Sequence, residues 1–309
     1  MGKRLGSVMF AVVAVSFYLG TAMASDPSTT AGPQAAPASV QGEAPQHNTI
    51  APSSQEKSEP QKITSKVAGD YALFAMMAAN AYHSDERIKF PLDKIGWIQI
   101  DKNGKATTEP TRDYWFGLEY DIYEKQATNE VVFAIRGTDS PSDHFLANFT
   151  IPVSPHYKKL NKDLGNYIEK HPNKQVTATG HSLGGGLALS ASVHYGIVAI
   201  TFDPSPRVFD GLGDHHKQAK RIVIYEQGDP LQTARKNWKK ISEVVTKENF
   251  FACSVVPANI SQHRGDCLAL GLLDLGKEEN KELLPVWEAL PPTERMKCAP
   301  DIHHNDGAN

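Results

Sequence analysis

A serine placed between glycines is the residue of this 309-residue chain whose surroundings most clearly suggest chemistry. The pattern G-x-S-x-G is matched by residues 180–184 (GHSLG), and two more glycines follow. Such a serine can attack a carbonyl carbon when it lies on a tight turn between a strand and a helix. The turn needs Gly180 and Gly184, because Cβ atoms there would collide with the neighbouring strand and helix. We therefore predict that Ser182 projects its hydroxyl into the open from a sharp bend.

The segments on either side of Ser182 are the ones that such a turn requires. Residues 175–179 are predicted to form a short strand, and residues 182–195 a helix of small and apolar residues. The pentapeptide alone can occur by chance in a chain of this length, so the assignment depends on this strand and helix. We do not expect His181 to be the base, because adjacent residues on such a turn point apart.

Strands and helices alternate through the rest of the domain. Residues 114–123 and 130–135 are predicted to be paired strands, since both are rich in aromatic and β-branched residues. Further strands are predicted at 197–202 and 221–225, and a helix at 157–170. Because this alternation is typical of βαβ units, we expect an α/β fold, with a mostly parallel central sheet and helices on both faces.

Four blocks of the sequence resemble one protein family. They are an opening helix at 74–82, VVFAIRGT at 131–138, GHSLGG at 180–185 and TFDPSPRV at 201–208. Together they are similar to the class 3 lipases of the α/β-hydrolase fold, and the likeness extends over roughly residues 71–270. The resemblance implies the α/β-hydrolase fold and the hydrolysis of carboxylic esters of lipids.

The resemblance also implies which amides stabilise the charge on the substrate's carbonyl oxygen. In the family, the residue after Arg-Gly contributes to this oxyanion hole, and the matching residue here is Thr138. The amide of Leu183, directly after the serine, is the second donor. Losing one such donor typically costs about 3 to 4 kcal/mol of barrier lowering. The alternative is that residues 136–138 form only a turn that ends a strand.

A serine of this kind needs a histidine base. The order along the chain in this fold is serine, acid, histidine. The histidines that follow the serine are His194, His215, His216, His263, His303 and His304. We predict that His263 is the base, because it follows a β-rich run, precedes an apolar segment and matches the family's late loop histidine. The alternative is a solvated loop histidine.

The carboxylate that orients the base is predicted to be Asp229. It follows the strand at 221–225, as the catalytic aspartate of the family follows the corresponding strand. Asp203 is the competing candidate, because it ends the preceding strand and a different lipase group draws its aspartate from that position. If Asp229 is the acid, Asp203 could cap the next turn through its side-chain oxygen.

The beginning of the chain suggests export. Residues 1–24 combine two basic residues, an apolar run and a small-x-small cleavage pattern, which predict a secretory signal peptide. An uncleaved anchor is the alternative, but the apolar run is shorter than the about 20 residues that span a bilayer. We expect a secreted or periplasmic protein with no transmembrane anchor after cleavage.

Three further segments follow the signal peptide. Residues 25–65 are rich in Pro, Ser and Ala and have no aromatic residue, so we expect a disordered linker. Residues 66–290 are predicted to form an α/β-hydrolase catalytic domain, and residues 291–309 a polar C-terminal tail.

The net charge and the cysteines exclude several functions. With 32 Lys and Arg against 35 Asp and Glu, the net charge is −3, so we expect no nucleic-acid partner. No two cysteines are spaced C-x-x-C, and we expect no metal site, no redox site and no cofactor. An oxidising compartment would permit a disulfide. Cys253–Cys267 is the first hypothesis, and Cys298 could pair with either.

Apolar residues at 140–156 lie where the family has a lid. They are typical of contact with an acyl chain or a lipid interface, and core packing is the alternative. We predict a serine hydrolase that cleaves lipid esters through an acyl-enzyme, with acylglycerols and phospholipids both open as substrates. A peptidase or thioesterase on the same fold and a non-catalytic binding module are the alternatives.

Overall fold

The computed structural model describes residues 60–113, 117–138, 155–206, 208, 216, 218–233 and 239–299. The predicted signal peptide, most of the predicted linker, residues 140–154 of the predicted lid and residues 300–309 lie outside these ranges. Within them, no helix has both the length and the apolar character needed to cross a membrane.

One mixed sheet runs through the described part of the domain. Its strands are β1 (Gln61–Lys62), β2 (Trp97–Ile100), β3 (Thr111–Asp113), β4 (Leu118–Lys125), β5 (Glu130–Ile135), β6 (Gln175–His181), β7 (Val198–Phe202), β8 (Arg221–Glu226) and β9 (Phe250–Cys253). Their order is β1-β9-β8-β7-β6-β5-β4-β2, and β3 also pairs with β4. Pairing is parallel from β1 across to β5 and antiparallel from β5 to β2. The predicted mostly parallel sheet is confirmed.

Helices cover both faces of this sheet. They are α1 (Ser65–Asn80), α2 (Pro155–Lys170), α3 (Leu183–Tyr195), α4 (Lys239–Val244), α5 (Gly265–Gly276), α6 (Leu284–Ala289) and α7 (Pro292–Met296), with short 3-10 helices at Leu92–Ile95, Lys247–Asn249 and Lys281–Leu283. Residues of α1, α5 and α6 share one core with the sheet, and residues of α2 and α3 share another. The predicted α/β-hydrolase fold with helices on both faces is confirmed.

The side chains of β5 show why both faces of the sheet are covered. Val131, Phe133 and Ile135 pack in the core with α2 and α3, whereas Val132 and Ala134 pack in the core with α1. Successive strand side chains point to opposite faces, so a strand that is apolar at every position must be buried on both.

Helices α1 and α5 meet at a point where each carries a glycine. A Cβ atom on Gly276 would lie 2.2 Å from the amide nitrogen of Gly69, so a larger residue there would push the helices apart. The side chain of Thr64 accepts a hydrogen bond from the amide of Val67 and begins α1. The close approach of Gly69 to Gly276 holds α5 against α1, and α5 begins two residues after His263.

Two predicted boundaries are wrong. Gln61 and Lys62 pair with β9, and α1 begins at Ser65, so residues 61–65 are structured although they lie in the segment predicted as a disordered linker. At the other end, α7 and the buried Cys298 belong to the folded domain, although residues 291–309 are predicted as a tail. A strand of two residues has no readable periodicity, and its stability comes from pairing with a strand far along the chain.

The disulfide joins Cys267 to Cys298, so the first hypothesis, Cys253–Cys267, is wrong. Cys253 is a free, buried cysteine of β9. Its thiol donates to the carbonyl of Tyr225 at 3.3 Å and to the carboxylate of Glu226 at 3.2 Å. The fold thus directs Cys253 toward the end of β8, whereas the first turn of α5 brings Cys267 to Cys298.

The disulfide should contribute measurably to stability. It links residues 31 positions apart, which corresponds to about 4 kcal/mol in the chain-entropy treatment. We expect the double variant Cys267→Ser, Cys298→Ser to lose that amount in the free energy of unfolding, measured with urea. A reducing agent should destabilise the wild type equally and leave the double variant unchanged. Equal stability of reduced and oxidised wild type would contradict the expectation.

Candidate active site

The turn at Ser182 has an unusual backbone conformation. Strand β6 ends at His181 and helix α3 begins at Leu183, so Ser182 alone forms the bend between them. Its φ of 58° and ψ of −126° lie where residues other than glycine are rarely found. Neighbouring segments hold this conformation. The Ser182 amide donates to the carbonyl of Phe202, and the Ser182 carbonyl accepts from the amide of Ser205.

The glycines around the serine are required by close packing. A Cβ atom on Gly180 would lie 2.4 Å from the carbonyl carbon of Gly184. A Cβ atom on Gly184 would lie 2.0 Å from the carbonyl oxygen of Ile135 in the neighbouring strand. No side chain fits at either distance, so the predicted reason for both glycines is confirmed.

The structure brings together the three residues predicted as nucleophile, base and acid. Nε2 of His263 lies 2.9 Å from Oγ of Ser182, and Nδ1 of His263 lies 2.7 Å from Oδ1 of Asp229. The Asp229 side chain is fully buried, whereas that of His263 is 25 % exposed. Ser182 itself is buried, so the prediction that its hydroxyl stands in the open is wrong. The imidazole of His263 and the backbone at Gly137 lie against it.

The local backbone structure places Asp229 and His263 beside Ser182. Asp229 lies in the turn after β8, where Gly228 has a φ of 85° that favours glycine and the Asp229 amide donates to the carbonyl of Glu226. His263 lies in the loop between β9 and α5. The first residue of α5 packs closely on the site, because a Cβ atom on Gly265 would lie 2.8 Å from the ring of His181.

Asp203, the competing acid, is engaged with the neighbouring strand. Its Oδ1 accepts the amide of Glu226 in β8 at 2.8 Å, and its Oδ2 lies 3.9 Å from Nε2 of His181. The side chain is fully buried, and the backbone φ is 42°. Asp203 therefore caps the adjacent strand β8 through its Oδ1.

The segment predicted to supply an oxyanion donor lies against the serine. A Cβ atom on Gly137 would lie 3.1 Å from Cβ of Ser182 and 2.7 Å from the carbonyl oxygen of His181. Thr138 is the next residue and is partly buried. Leu183 is the first residue of α3, and the first amides of a helix have no acceptor within the helix. Both predicted donors thus belong to segments that adjoin Ser182.

A buried acid and a buried thiol lie next to each other behind the site. Oε2 of Glu226 accepts from the amide of Val255 and from the thiol of Cys253. Burial raises the pKa of Glu226; the bonds from Val255 and Cys253 oppose this shift, and the charge of Asp229 adds to it. Burial also raises the pKa of Cys253, as do the charges of Glu226 and Asp203. All these effects favour the protonated form of this thiol.

Two groups of side chains in the described ranges have ligand atoms close enough to share a metal ion. One consists of His181, Asp203 and His263, whose ligand atoms lie within 4.8 Å of one another. The other consists of Asp266 and the cysteines of the disulfide, whose sulfur atoms are bonded to each other and cannot act as thiolates.

Sequence comparison identifies the family. Residues 73–246, more than half of the chain, match the family described as the Tle-like phospholipase domain. The chain belongs to this family. The Tle-like phospholipase match includes Ser182 and Asp229 and ends before His263. Membership makes the chain a carboxylic ester hydrolase and confirms the predicted lipase relationship within the α/β-hydrolases.

Several solved structures are similar to this chain. A triacylglycerol lipase from Penicillium expansum is 12% identical, with 66% of this chain and 84% of that chain covered and a TM-score of 0.41. The Lip2 lipase from Yarrowia lipolytica is 18% identical, with 59% and 78% covered and a TM-score of 0.38. A lipase from Rhizopus microsporus var. chinensis is 17% identical, with 59% and 73% covered and a TM-score of 0.39. No curated protein matches the sequence significantly.

Sequence analysis missed one neighbour of the candidate site. The Tyr82 hydroxyl lies 2.8 Å from Nδ1 of His181, and the ring centroids of His181 and His263 are 4.6 Å apart. The Arg87 guanidinium lies 3.9 Å from the centroid of the Tyr82 ring. Tyr82 ends the opening-helix block of the family resemblance, which is the signal that could have pointed to it.

Proposed function

We propose that this chain hydrolyses the carboxylic ester that joins an acyl chain to a phospholipid, with Ser182 as nucleophile, His263 as base and Asp229 as orienting acid. The observation that carries the proposal is the pair of hydrogen bonds that links Ser182 through His263 to Asp229, at 2.9 and 2.7 Å. The bend at Ser182 and the family match add support. The family's description favours a phospholipid over an acylglycerol.

The first half of the reaction forms an acyl-enzyme. Nε2 of His263 takes the proton from Oγ of Ser182 as that oxygen bonds to the ester carbonyl carbon. Negative charge moves to the carbonyl oxygen, where the amides of Thr138 and Leu183 stabilise it. When the tetrahedral intermediate collapses, the ester bond breaks and the alcohol leaves with the proton from His263.

The second half releases the fatty acid. Water gives a proton to His263 and attacks the acyl carbon, and Oγ of Ser182 leaves with that proton. Throughout, Asp229 accepts a hydrogen bond from Nδ1 of His263, which keeps Nε2 directed at the serine and stabilises the imidazolium. Asp229 is suited to this role because its carboxylate is buried.

We also propose that the chain acts outside the cytoplasm. The pattern of residues 1–24 motivates this proposal. The disulfide between Cys267 and Cys298 supports it, because such bonds persist mainly in oxidising compartments.

Two measurements on the purified protein test the proposed reaction. A fluorophosphonate probe should label Ser182, as located by peptide mass. Fatty acid should be released from phosphatidylcholine in mixed micelles faster than from emulsified triacylglycerol. Absence of labelling would favour a binding module. Labelling with turnover of only amide or thioester substrates would favour a peptidase or thioesterase. Turnover of triacylglycerol alone would contradict the phospholipid assignment.

A further inference from the structure

Three ligand-bearing side chains meet beside Ser182 although they are distant in sequence. His181 ends β6, Asp203 follows β7, and His263 lies in the loop before α5. Their ligand atoms lie within 4.8 Å of one another. Two imidazoles and one carboxylate form a ligand set that Zn²⁺ uses in proteins, with a fourth position left for water.

Both imidazoles already have the outer partner that a metal-binding histidine requires. Nδ1 of His181 is hydrogen bonded to the hydroxyl of Tyr82, and Nδ1 of His263 to the carboxylate of Asp229. Metal-bound histidines nearly always use the second ring nitrogen in this way, which sets the ring orientation. In both rings, Nε2 is therefore the nitrogen suited to a metal.

The distance between two of the three ligand atoms is close to the one that a zinc ion needs. Ligand atoms about 2.0 to 2.1 Å from a tetrahedral zinc ion are about 3.3 Å apart. Nε2 of His181 and Oδ2 of Asp203 are 3.9 Å apart, so a small movement would bring them into range. The third ligand, His263, has a side chain that is 25 % exposed. Solvent therefore reaches the cluster at this ring.

The surroundings also favour a cation. The carboxylates of Asp203 and Asp229 are fully buried, and Glu226 is buried beside them. A divalent ion between the two histidines would offset this buried negative charge. The expectation of no metal site rests on cysteine spacing, which does not reveal histidine and aspartate ligands that only the folded sheet brings together.

We propose that Zn²⁺ binds to His181, Asp203 and His263 and thereby inhibits the ester hydrolysis. The inhibition rests on the proposed function, because it follows from the role of His263. When the lone pair of Nε2 coordinates the ion, it cannot accept the proton of Ser182, so the serine loses its base. Removing the ion restores the hydrogen bond, which makes the inhibition reversible.

The test measures zinc binding and zinc inhibition separately. Zinc chloride is titrated against a chromogenic chelator in competition with wild type, Ser182→Ala, His181→Phe and Asp203→Asn. The initial rate of phosphatidylcholine hydrolysis is followed at the same zinc concentrations in the active proteins. His194→Gln is the matched control, because His194 is an exposed histidine of α3 outside the cluster.

We expect one zinc ion per chain in the wild type and in Ser182→Ala, where the metal ligands are intact. His181→Phe and Asp203→Asn should each weaken binding and inhibition by at least about tenfold, since even outer partners change metal affinity by about 10- to 100-fold. His194→Gln should match the wild type. If His181→Phe does not fold, Asp203→Asn alone tests the zinc site. This variant should keep its fold, because the asparagine oxygen can still accept the Glu226 amide.

Unchanged zinc binding in both variants would overturn the proposal, since the ion would then lie elsewhere. If both variants lose zinc binding but zinc does not inhibit ester hydrolysis by the wild type, the ion binds at this site without inhibiting the enzyme. That result would overturn the inhibitory role. Failure of the proposed function would look different: no protein would hydrolyse ester, whereas the chelator competition would still report the site.

Discussion

Replacing Ser182 with alanine should lower kcat for phospholipid ester hydrolysis by about 10⁶-fold, the loss typical of removing a triad nucleophile. The loss is this large because Ser182 and His263 act as a unit, so His263 has no proton to take once the hydroxyl is gone. Alanine keeps the same backbone possibilities as serine, and the serine side chain does not cap α3. Removal of one hydrogen bond should change stability by only about 1 kcal/mol.

The measurement is fatty acid release together with fluorophosphonate labelling, and thermal unfolding verifies the fold. Ser190→Ala is the matched control, since Ser190 is a buried serine of α3 that donates to the carbonyl of Gly186. The control should retain normal turnover. Substantial turnover by Ser182→Ala would show that another group is the nucleophile.

Replacing Asp229 with asparagine should lower kcat by about 10⁴-fold with little loss of structure. The carboxylate accepts the hydrogen bond from Nδ1 of His263 at 2.7 Å. An asparagine amide can donate in its place, which favours the tautomer with its proton on Nε2, and that tautomer cannot accept the proton of Ser182. The expected loss is therefore in kcat rather than in substrate binding.

Asp203→Asn is the comparison that makes this result specific. Its Oδ1 accepts the amide of Glu226, a role that an asparagine oxygen can keep. We expect its loss of kcat to be less than about tenfold, because the change leaves the triad hydrogen bonds in place. Both variants should be measured without zinc. A larger loss for Asp203→Asn than for Asp229→Asn would contradict the assignment of the acid.

Local patterns were sufficient for the elements nearest the serine. Strand β5 occupies the predicted residues 130–135, and α3 begins one residue after the predicted start at 182. Both have strong patterns over several residues. The glycines at 180 and 184 indicate by their type that no side chain fits at those positions. Such elements are predictable because their causes are close in sequence.

The rest of the site depends on contacts between distant segments. Asp203 and Asp229 both follow parallel strands, so both reach the same edge of the sheet, and only the family resemblance favoured Asp229. The pairing of the disulfide was equally hard to predict from sequence, because three cysteines permit several pairs. The position of the His181 ring between Tyr82 and His263 also depends on elements far apart in the chain.

The torsion angles of Ser182 make catalysis and stability conflict at a single residue. A serine with a φ of 58° carries a conformational cost of order 1 to 3 kcal/mol, which glycine would avoid. Glycine, however, has no side-chain hydroxyl to act as the nucleophile. Mutations that relieve this cost therefore abolish turnover, and an engineer who seeks a hardier enzyme must look for gains away from the bend.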